Sequence, residues 1–382
     1  MLACAVFGAV TLLAICATSA LAAFPGMPGR IAFKFTPPGS IELGSMNPDG
    51  SGFQQLTFAP NSDGDAAYSP DGAQIAFRST RTTDQELWLM NADGSNQHQL
   101  TFSPGSDNEP YFSPTGTQLV FASGRDGGDP DIFVMNTDGS GVTPLTNNSD
   151  ADFHPQFSPD GKQIVFQSDR DGDDEIFVMN ADGSDQRQLT FADGIFDNQP
   201  TYSPDGRTIA WSGYPTGMGD DESEIYAMKA DGTGQHPLTS DAVEQDGPAF
   251  SPNGSQLVFD QDLGTGTDEV AVMPVAGGAI TPISSSPDQS LDPDWAPIPV
   301  NCGGKRSTLV GTDGPDKLVG TTGRDIISGL GGADFLKGLQ GNDVLCGGKG
   351  KDRLSGGKGK KDRCIGGKGR DRTGGCEVKK SI

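Results

Sequence analysis

The sequence predicts an all-β protein that contains a six-bladed β-propeller followed by a small module with a shorter repeat. A unit of about 45 residues recurs along the chain, and its Ser-Pro pair returns at Ser69, Ser113, Ser158, Ser203 and Ser251. Each unit holds four short runs of β-branched and aromatic residues separated by Asp-Gly turns, which are typical of strands and hairpins. A nine-residue repeat fills the chain after residue 310.

Each long unit is predicted to form one four-stranded blade. In the copy around residue 160, strand a is Gln156-Phe157 and strand b is Ile164-Val165-Phe166. Strand c follows at 175–179 and strand d at 188–190. Four strands in about 45 residues match one blade of a propeller.

The number of blades follows from the ends of the c strands. Each c strand ends in methionine, at Met46, Met90, Met135, Met179, Met228 and Met273. The first copy, from Arg30, lacks its own strand a, and a spare strand a occurs at 292–295. We expect this spare strand to pair with the first blade, because closing the ring removes free sheet edges.

The repeat resembles a known family at three places. The Ser-Pro-Asp-Gly turn, the run 131–140 (Asp-Ile-Phe-Val-Met-Asn-Thr-Asp-Gly-Ser) and the Leu-Thr ending resemble the TolB-type, WD40-like propeller repeat. The resemblance implies a propeller domain over residues 24–298. It also implies binding of a protein or peptide partner, with a cell-envelope protein as one candidate, because TolB docks proteins on its propeller.

Residues 1–23 form an uncharged apolar run that ends in Ser-Ala-Leu-Ala-Ala, typical of a bacterial signal peptide and its cleavage site. An uncleaved membrane anchor and a lipoprotein modified at Cys16 are the alternatives, so cleavage of the leader stays open. Export predicts a secreted protein, extracellular or periplasmic, with no membrane span once the leader is removed.

The cysteines agree with export. Beyond the leader, four remain, and all lie in the C-terminal module: Cys302, Cys346, Cys364 and Cys376. An even number in a small exported module predicts two disulfides. The sequence leaves three pairings open, and a zinc site is the rival interpretation.

Charge is divided unevenly between the two parts of the chain. Ten basic and 42 acidic residues precede Asn301, whereas 17 basic and nine acidic residues follow it. The propeller therefore carries a net charge of about −32, which repels nucleic acid and anionic lipid and excludes both as its partners.

One face of the propeller is predicted to vary between blades, because the b–c and d–a loops differ from copy to copy. Acidic loops at 125–131, 169–175 and 219–224 would form its rim. The loop 169–175 has the composition of a calcium loop but departs from the EF-hand pattern, so a solvated hairpin is the competing interpretation.

The d–a loops lead into the strands nearest the central channel. Alignment of the copies places six residues at equivalent positions around the channel mouth: Asp65, Glu109, His154, Gln199, Gly247 and Asp292. They are candidates for ligand binding. A histidine among carboxylates could bind a metal or transfer a proton, and a solvated polar lining is the alternative.

A Pro-rich stretch at 296–299 leads into a linker at 299–310. The shorter repeat that follows carries one aspartate in each copy: Asp316, Asp325, Asp334, Asp343, Asp352, Asp362 and Asp371. An apolar residue follows two positions after most of them. This pattern resembles the RTX haemolysin-type nonapeptide, which implies a parallel β-roll over residues 311–382 that binds calcium through these aspartates.

The later copies depart from that pattern, because lysine or arginine flanks Asp352, Asp362 and Asp371. A neighbouring cation competes with calcium. We therefore expect the strongest calcium sites around Asp325, Asp334 and Asp343, and a metal-free roll held by disulfides is the alternative.

The predicted function is that of a secreted, non-enzymatic calcium-binding protein whose propeller binds a protein or another ligand. The alternative is a polysaccharide lyase or hydrolase that acts at the channel mouth around His154, and a third is a purely structural surface protein. The chain has no Gly-x-Ser-x-Gly nucleophile motif. The identity of the ligand, the number of occupied calcium sites and the oligomeric state are open at this point.

Overall fold

The computed structural model describes residues 26–380 except 83, 192–193, 216–222, 241–242, 263–267, 285–289, 308, 312–313 and 322. The predicted leader, 1–23, lies outside the described residues, and so does most of the acidic loop 219–224. All regular structure in the described part is β. No helix there is long and apolar enough to cross a membrane.

The N-terminal 24 strands form six antiparallel sheets of four strands each. Their bounds in the first three blades are β1 (Gly26–Phe35), β2 (Glu42–Met46), β3 (Gln54–Gln55), β4 (Asp63–Tyr68), β5 (Gln74–Ser79), β6 (Glu86–Asn91), β7 (His98–Gln99), β8 (Asp107–Phe112), β9 (Gln118–Ser123), β10 (Asp131–Asn136) and β11 (Thr143–Pro144). The remaining strands are β12 (Asp152–Phe157), β13 (Gln163–Ser168), β14 (Glu175–Asn180), β15 (Arg187–Gln188), β16 (Ile195–Tyr202), β17 (Thr208–Pro215), β18 (Glu224–Lys229), β19 (His236–Pro237), β20 (Glu244–Phe250), β21 (Gln256–Asp262), β22 (Asp268–Pro274), β23 (Thr281–Pro282) and β24 (Ser290–Pro299).

The ring closes through its first blade. Strand β24 pairs antiparallel with β1, and Trp295 lies opposite Ile31. The first sheet therefore has the order β24-β1-β2-β3 and joins both ends of the propeller. The predictions of six blades and of this closure are confirmed.

The core of the propeller lies between neighbouring sheets. The aromatic residue of strand b is almost completely buried in all six blades: Phe33, Phe77, Phe121, Phe166, Trp211 and Phe259. Residues on both sides of these b strands are buried, because each sheet is covered by the next blade on either face. Full burial of one such side chain contributes roughly 1.5–3 kcal/mol.

A buried arginine–aspartate ion pair recurs in three of the blades. In the third blade, Arg125 Nη2 donates to both carboxylate oxygens of Asp107, at 2.9 and 2.8 Å. The guanidinium lies over the rings of Phe121 and Phe133, 5.1 and 4.9 Å from their centroids. The same arrangement recurs in the second and fourth blades, around Arg81 and Arg170.

The C-terminal module is a parallel β-roll that follows a short hairpin. Its strands are β25 (Asn301–Cys302), β26 (Lys305–Arg306), β27 (Leu309–Val310), β28 (Lys317–Val319), β29 (Ile326–Ser328), β30 (Gly331–Gly332), β31 (Phe335–Lys337), β32 (Val344–Gly350), β33 (Arg353–Ser355), β34 (Arg363–Lys368), β35 (Arg372–Gly374) and β36 (Val378–Lys380). One sheet stacks β27, β29, β32, β34 and β36, and the other stacks β28, β31, β33 and β35. Two nonapeptides thus form one coil. The predicted roll is confirmed, and its first strand, β27, lies in the stretch predicted as linker.

Apolar side chains from successive coils fill the interior of the roll: Ile327, Leu336, Leu345, Leu354 and Cys364. Disulfides join Cys302 to Cys346 and Cys364 to Cys376. Two disulfides were expected, and the structure supplies the pairing that the spacing left open. Cys364 fills the place of the missing apolar residue, since it is fully buried.

Candidate functional sites: the channel mouth and the aspartate ladders

The six positions predicted at the channel mouth share one unusual backbone conformation. Five non-glycine residues have φ near +50°, namely Asp65, Glu109, His154, Gln199 and Asp292, and Gly247 has φ 59°. Non-glycine residues rarely adopt this left-handed region. The pairing of strand a with strand b shifts register at each of these positions, so each marks a β-bulge. The bulge turns the residue towards the channel.

Side chains of this ring hydrogen-bond to the backbone of the next blade. The His154 amide donates to Glu109 Oε2 at 2.6 Å, and the Glu109 amide donates to Asp65 Oδ2 at 3.4 Å. The Gly247 amide donates to Gln199 Oε1 at 3.0 Å. Because these bonds run between blades, the mouth is a pre-formed polar surface.

All six positions line one cavity of about 560 Å³. The same cavity is lined by Lys34, Arg78 and Asp260, which the sequence reasoning missed. A signal for them exists, because each is the residue after the buried aromatic of strand b. Comparing that single column across the repeats would have revealed three charged residues.

Two ion pairs occupy the side of the mouth formed by the first two blades. Arg78 Nε lies 2.7 Å from Asp65 Oδ2, and Lys34 Nζ lies 2.6 Å from Asp292 Oδ2. Burial favours a higher pKa for Asp65, but the guanidinium of Arg78 outweighs burial and lowers that pKa. Burial also opposes the charge of Lys34, yet the Asp292 carboxylate raises its pKa. Asp65, Lys34 and Arg78 are therefore held in their charged forms.

The sixth and third blades, which flank these two, contribute carboxyl groups that can be protonated. Burial raises the pKa of Asp246 and raises that of Asp260 well above its usual value. The hydroxyl of Tyr214 donates to Asp246. Burial also raises the pKa of Glu109, whose Oε1 lies 3.4 Å from His154 Nε2. The mouth thus offers fixed positive and negative groups to a ligand that bears both charges.

The rim loop 169–175 brings three carboxylates together. Oxygen atoms of Asp171, Asp173 and Glu175 lie within 4.8 Å of one another. The side-chain amide of Gln188 donates to Asp171, and the Thr190 hydroxyl donates to the buried Glu175. Both interpretations of this loop, a solvated hairpin and a calcium-binding loop, stay predictions. His98 and His236 lie on the outer strands β7 and β19, away from the channel mouth.

The predicted calcium ligands form two ladders along the roll, one at each turn. In one ladder, the backbone amide of Asp334 donates to Asp352 Oδ1 at 3.0 Å, so each aspartate side chain caps the preceding coil. The members of the two ladders are Asp316, Asp334, Asp352 and Asp371, and then Asp325, Asp343, Asp362 and Glu377. Glu377 ends the second ladder and was not predicted.

The other carboxylate oxygen of the ladder aspartates, Oδ2, is placed where it could bind a cation. Buried Oδ2 atoms without a hydrogen-bond partner occur at four described aspartates: Asp334, Asp343, Asp352 and Asp362. Each lies beside a glycine whose absent side chain leaves room, for example Gly338, where a Cβ would lie 2.2 Å from Asp343 Oδ2 and 2.6 Å from the Gly356 carbonyl oxygen. Carboxylate and carbonyl oxygens are the ligands that calcium prefers. The residues present therefore fit calcium.

Electrostatics agree with that fit. Burial raises the pKa of Asp334 and of Asp343 to about 6 in the metal-free roll. A divalent cation would favour the charged carboxylates. The Oδ2 of Asp325 instead accepts the amide of Thr321 at 2.6 Å, whereas Asp352 and Asp362 keep an unpartnered oxygen. The expected ranking, with the strongest sites at Asp325, Asp334 and Asp343, stays a prediction.

The comparisons with known proteins agree with both parts of the fold. The TolB beta propeller domain family matches residues 103–299. The RTX calcium-binding nonapeptide repeat family matches residues 310–345, 329–360 and 340–372. The chain therefore belongs to the TolB beta propeller domain family and carries an RTX calcium-binding repeat tail. No curated protein matches the chain.

Solved structures resemble the propeller part. TolB from Acinetobacter baumannii is 27% identical with a TM-score of 0.62, and the match covers 70% of this chain and 67% of that one. The putative TolB from Agrobacterium tumefaciens is 20% identical with a TM-score of 0.57, over 70% and 99% of the two chains. Hydrazine synthase from Kuenenia stuttgartiensis is 18% identical with a TM-score of 0.60, over 72% and 47%. The last two show the fold alone.

Proposed function

We propose that this chain is an exported, non-enzymatic binding protein whose propeller takes a peptide or protein segment at the channel mouth. The observation that carries the proposal is the ring of six bulge residues, which fixes charged groups of both signs around one cavity. Arg78 and Lys34 suit a carboxylate of the ligand, whereas an amine or a guanidinium of the ligand would favour the charged forms of Asp246 and Asp260.

The tail supplies the calcium-binding part of this function. We assign calcium to the two aspartate ladders, because their buried oxygens have carboxylate chemistry and face glycine carbonyls. Calcium, when bound, supplies positive charge that offsets repulsion between stacked carboxylates. The proposed division of the chain is a leader at 1–23, a propeller at 24–298, a linker at 299–310 and the roll at 311–382.

A peptide-binding screen tests the propeller proposal. A library of fluorescent peptides of varied charge is titrated with the full chain, with Arg78→Gln, with Asp260→Asn and with Arg207→Gln as the control. Arg207 directly follows the Ser-Pro-Asp-Gly turn 203–206, and 67% of its side chain is exposed. Peptides that bind should lose at least tenfold in affinity with the two mouth variants and nothing with the control.

The proposal fails if every bound peptide is insensitive to both mouth variants. Turnover of an acidic polysaccharide that disappears in His154→Ala would favour the enzymatic alternative. Both results are independent of calcium binding by the tail, which is measured separately by calorimetry.

A further inference from the structure

The last two coils of the roll carry a compact group of exposed cations at one turn. We call this group the cationic grid, and it consists of Lys349, Lys351, Arg353, Lys368, Arg370 and Arg372, all exposed. Within each coil the three cations occupy alternate positions, as the chain passes from one sheet around the turn to the other. Alternate residues of an extended chain point to the same side.

The two rows of the grid are in register. Lys349 lies opposite Lys368 in the pairing of β32 with β34, and Arg353 lies opposite Arg372 in the pairing of β33 with β35. Neighbouring strands in a sheet are about 4.8 Å apart. The grid is thus three cations wide and two coils deep.

The coil before the grid is neutral at the aligned positions. Gly331 lies opposite Lys349, and Phe335 lies opposite Arg353. The Arg353 guanidinium is 5.7 Å from the centroid of the Phe335 ring, which holds that cation against the surface. The positive charge is therefore concentrated in the last two coils instead of spread along the roll.

The cations of the grid have no direct carboxylate partner within the described part of the roll. None of the six cations forms an ion pair there within 4.0 Å. The carboxylates at this turn, Asp352 and Asp371, belong to the ladder, and Asp352 is only 2% exposed. Six like charges at these spacings repel one another, so an external polyanion is favoured at the surface.

We propose that the cationic grid binds a linear anionic glycan, a polysaccharide with carboxylate, sulfate or phosphate groups along its chain. A membrane surface is disfavoured, because none of the large exposed hydrophobic side chains of the described residues lies in the roll. Lipid-binding surfaces add such apolar anchors to their cations. Single-stranded nucleic acid is disfavoured because the only aromatic residue at the grid, Phe335, is covered by Arg353.

Calcium should strengthen this binding. Calcium held by the ladder would cancel the negative charge of Asp352 and Asp371, which lie directly behind the grid. This calcium dependence rests on the proposed calcium function, whereas the grid itself does not. If the grid binds glycan equally well with and without calcium, the calcium dependence is refuted and the glycan-binding proposal stands.

The test uses the full chain and a fluorescent heparin oligosaccharide, with neutral dextran as the uncharged polymer. Anisotropy gives the dissociation constant between 50 and 300 mM salt for wild type, Lys349→Gln/Lys368→Gln and Arg353→Gln/Arg372→Gln. Each double variant should bind at least tenfold more weakly, with a slope of log affinity against log salt that is smaller by about two. Dextran should not bind. Circular dichroism and calcium titration check that the variants fold.

The control removes two exposed cations from the propeller, in Lys162→Gln/Arg207→Gln. Equal weakening by the control and the grid variants would overturn the proposal, and so would heparin binding that the grid variants leave unchanged. Two other results also refute it. Tighter binding to phosphatidylglycerol vesicles than to heparin would assign the grid to membranes. Salt-sensitive self-association that the grid variants abolish would assign it to the acidic propeller of a second copy.

Discussion

Arg125→Gln isolates the buried ion pair of the third blade. The Asp107 carboxylate is completely buried and accepts two bonds from Arg125, at 2.9 and 2.8 Å. It keeps only hydroxyl donors, Ser123 and Ser103, once the guanidinium is gone. Removing one partner of a buried pair costs about 3–5 kcal/mol. Because the Arg125 side chain is 15% exposed, the lower part of that range applies.

The two aromatic rings add to this cost. Cation–π contacts with Phe121 and Phe133 contribute roughly 0.5–1 kcal/mol each at a partly exposed site. We therefore expect Arg125→Gln to lower the free energy of unfolding by about 4–5 kcal/mol. Asp107→Asn in the same chain removes the buried charge and should restore more than half of the loss.

Urea unfolding followed by tryptophan fluorescence measures this effect, because all three tryptophans lie in the propeller: Trp88, Trp211 and Trp295. Lys162→Gln is the control, since it breaks an ion pair whose lysine side chain is 77% exposed and should cost less than about 1 kcal/mol. The reasoning is refuted if Arg125→Gln costs no more than the control. It is also refuted if the double variant is no more stable than the single one.

Three further predictions concern the roll. Asp343→Asn removes a buried calcium ligand and should lower calcium affinity at least tenfold by calorimetry, and unchanged affinity would remove Asp343 from the site. In the metal-free roll, Asp334 and Asp343 have raised pKa values of about 6, so their protonated forms stabilise the roll below about pH 4. This stability is lost as the pH rises through about 6. Calcium affinity should rise over the same pH range. Thermal unfolding in chelator between pH 4 and 7 checks this, and a flat profile contradicts it. Cys302→Ser/Cys346→Ser removes a disulfide whose cysteines are 44 residues apart in sequence. The free energy of unfolding, measured with urea, should fall by up to about 4 kcal/mol because the unfolded chain gains entropy. A fall of less than about 1 kcal/mol would contradict this loop-entropy reasoning.

The blade architecture could be predicted because each unit repeats the same local signals in the same order. The number of blades could be read from the methionine at or near the end of each c strand. The spare segment 292–295 indicated where the ring closes. The ring positions at the channel mouth followed from aligning the copies, and their common φ near +50° shows that the alignment located a real bulge. Repetition works here because a single error in register would have broken the pattern in five other copies.

Charged residues on strand b were missed for a physical reason. Strand b is buried on both faces, so its apolar run shows no alternation that would indicate which side each residue faces. Lys34, Arg78 and Asp260 were therefore not assigned to the channel. The cysteine pairing was beyond the sequence for a different reason, since it depends on how the coils stack and on where the hairpin of β25 and β26 lies.

The junction between the fourth and fifth blades shows how the repeat tolerates the loss of its buried cation. Pro215 stands where the earlier blades have Arg81, Arg125 or Arg170. The Trp211 indole donates to Asp197 at 2.7 Å in place of the guanidinium. An indole supplies one hydrogen bond but no charge, and burial then raises the pKa of Asp197 and of the adjoining Glu175. The raised pKa of both carboxyl groups favours their neutral forms, which lessens the need for a buried cation at this junction.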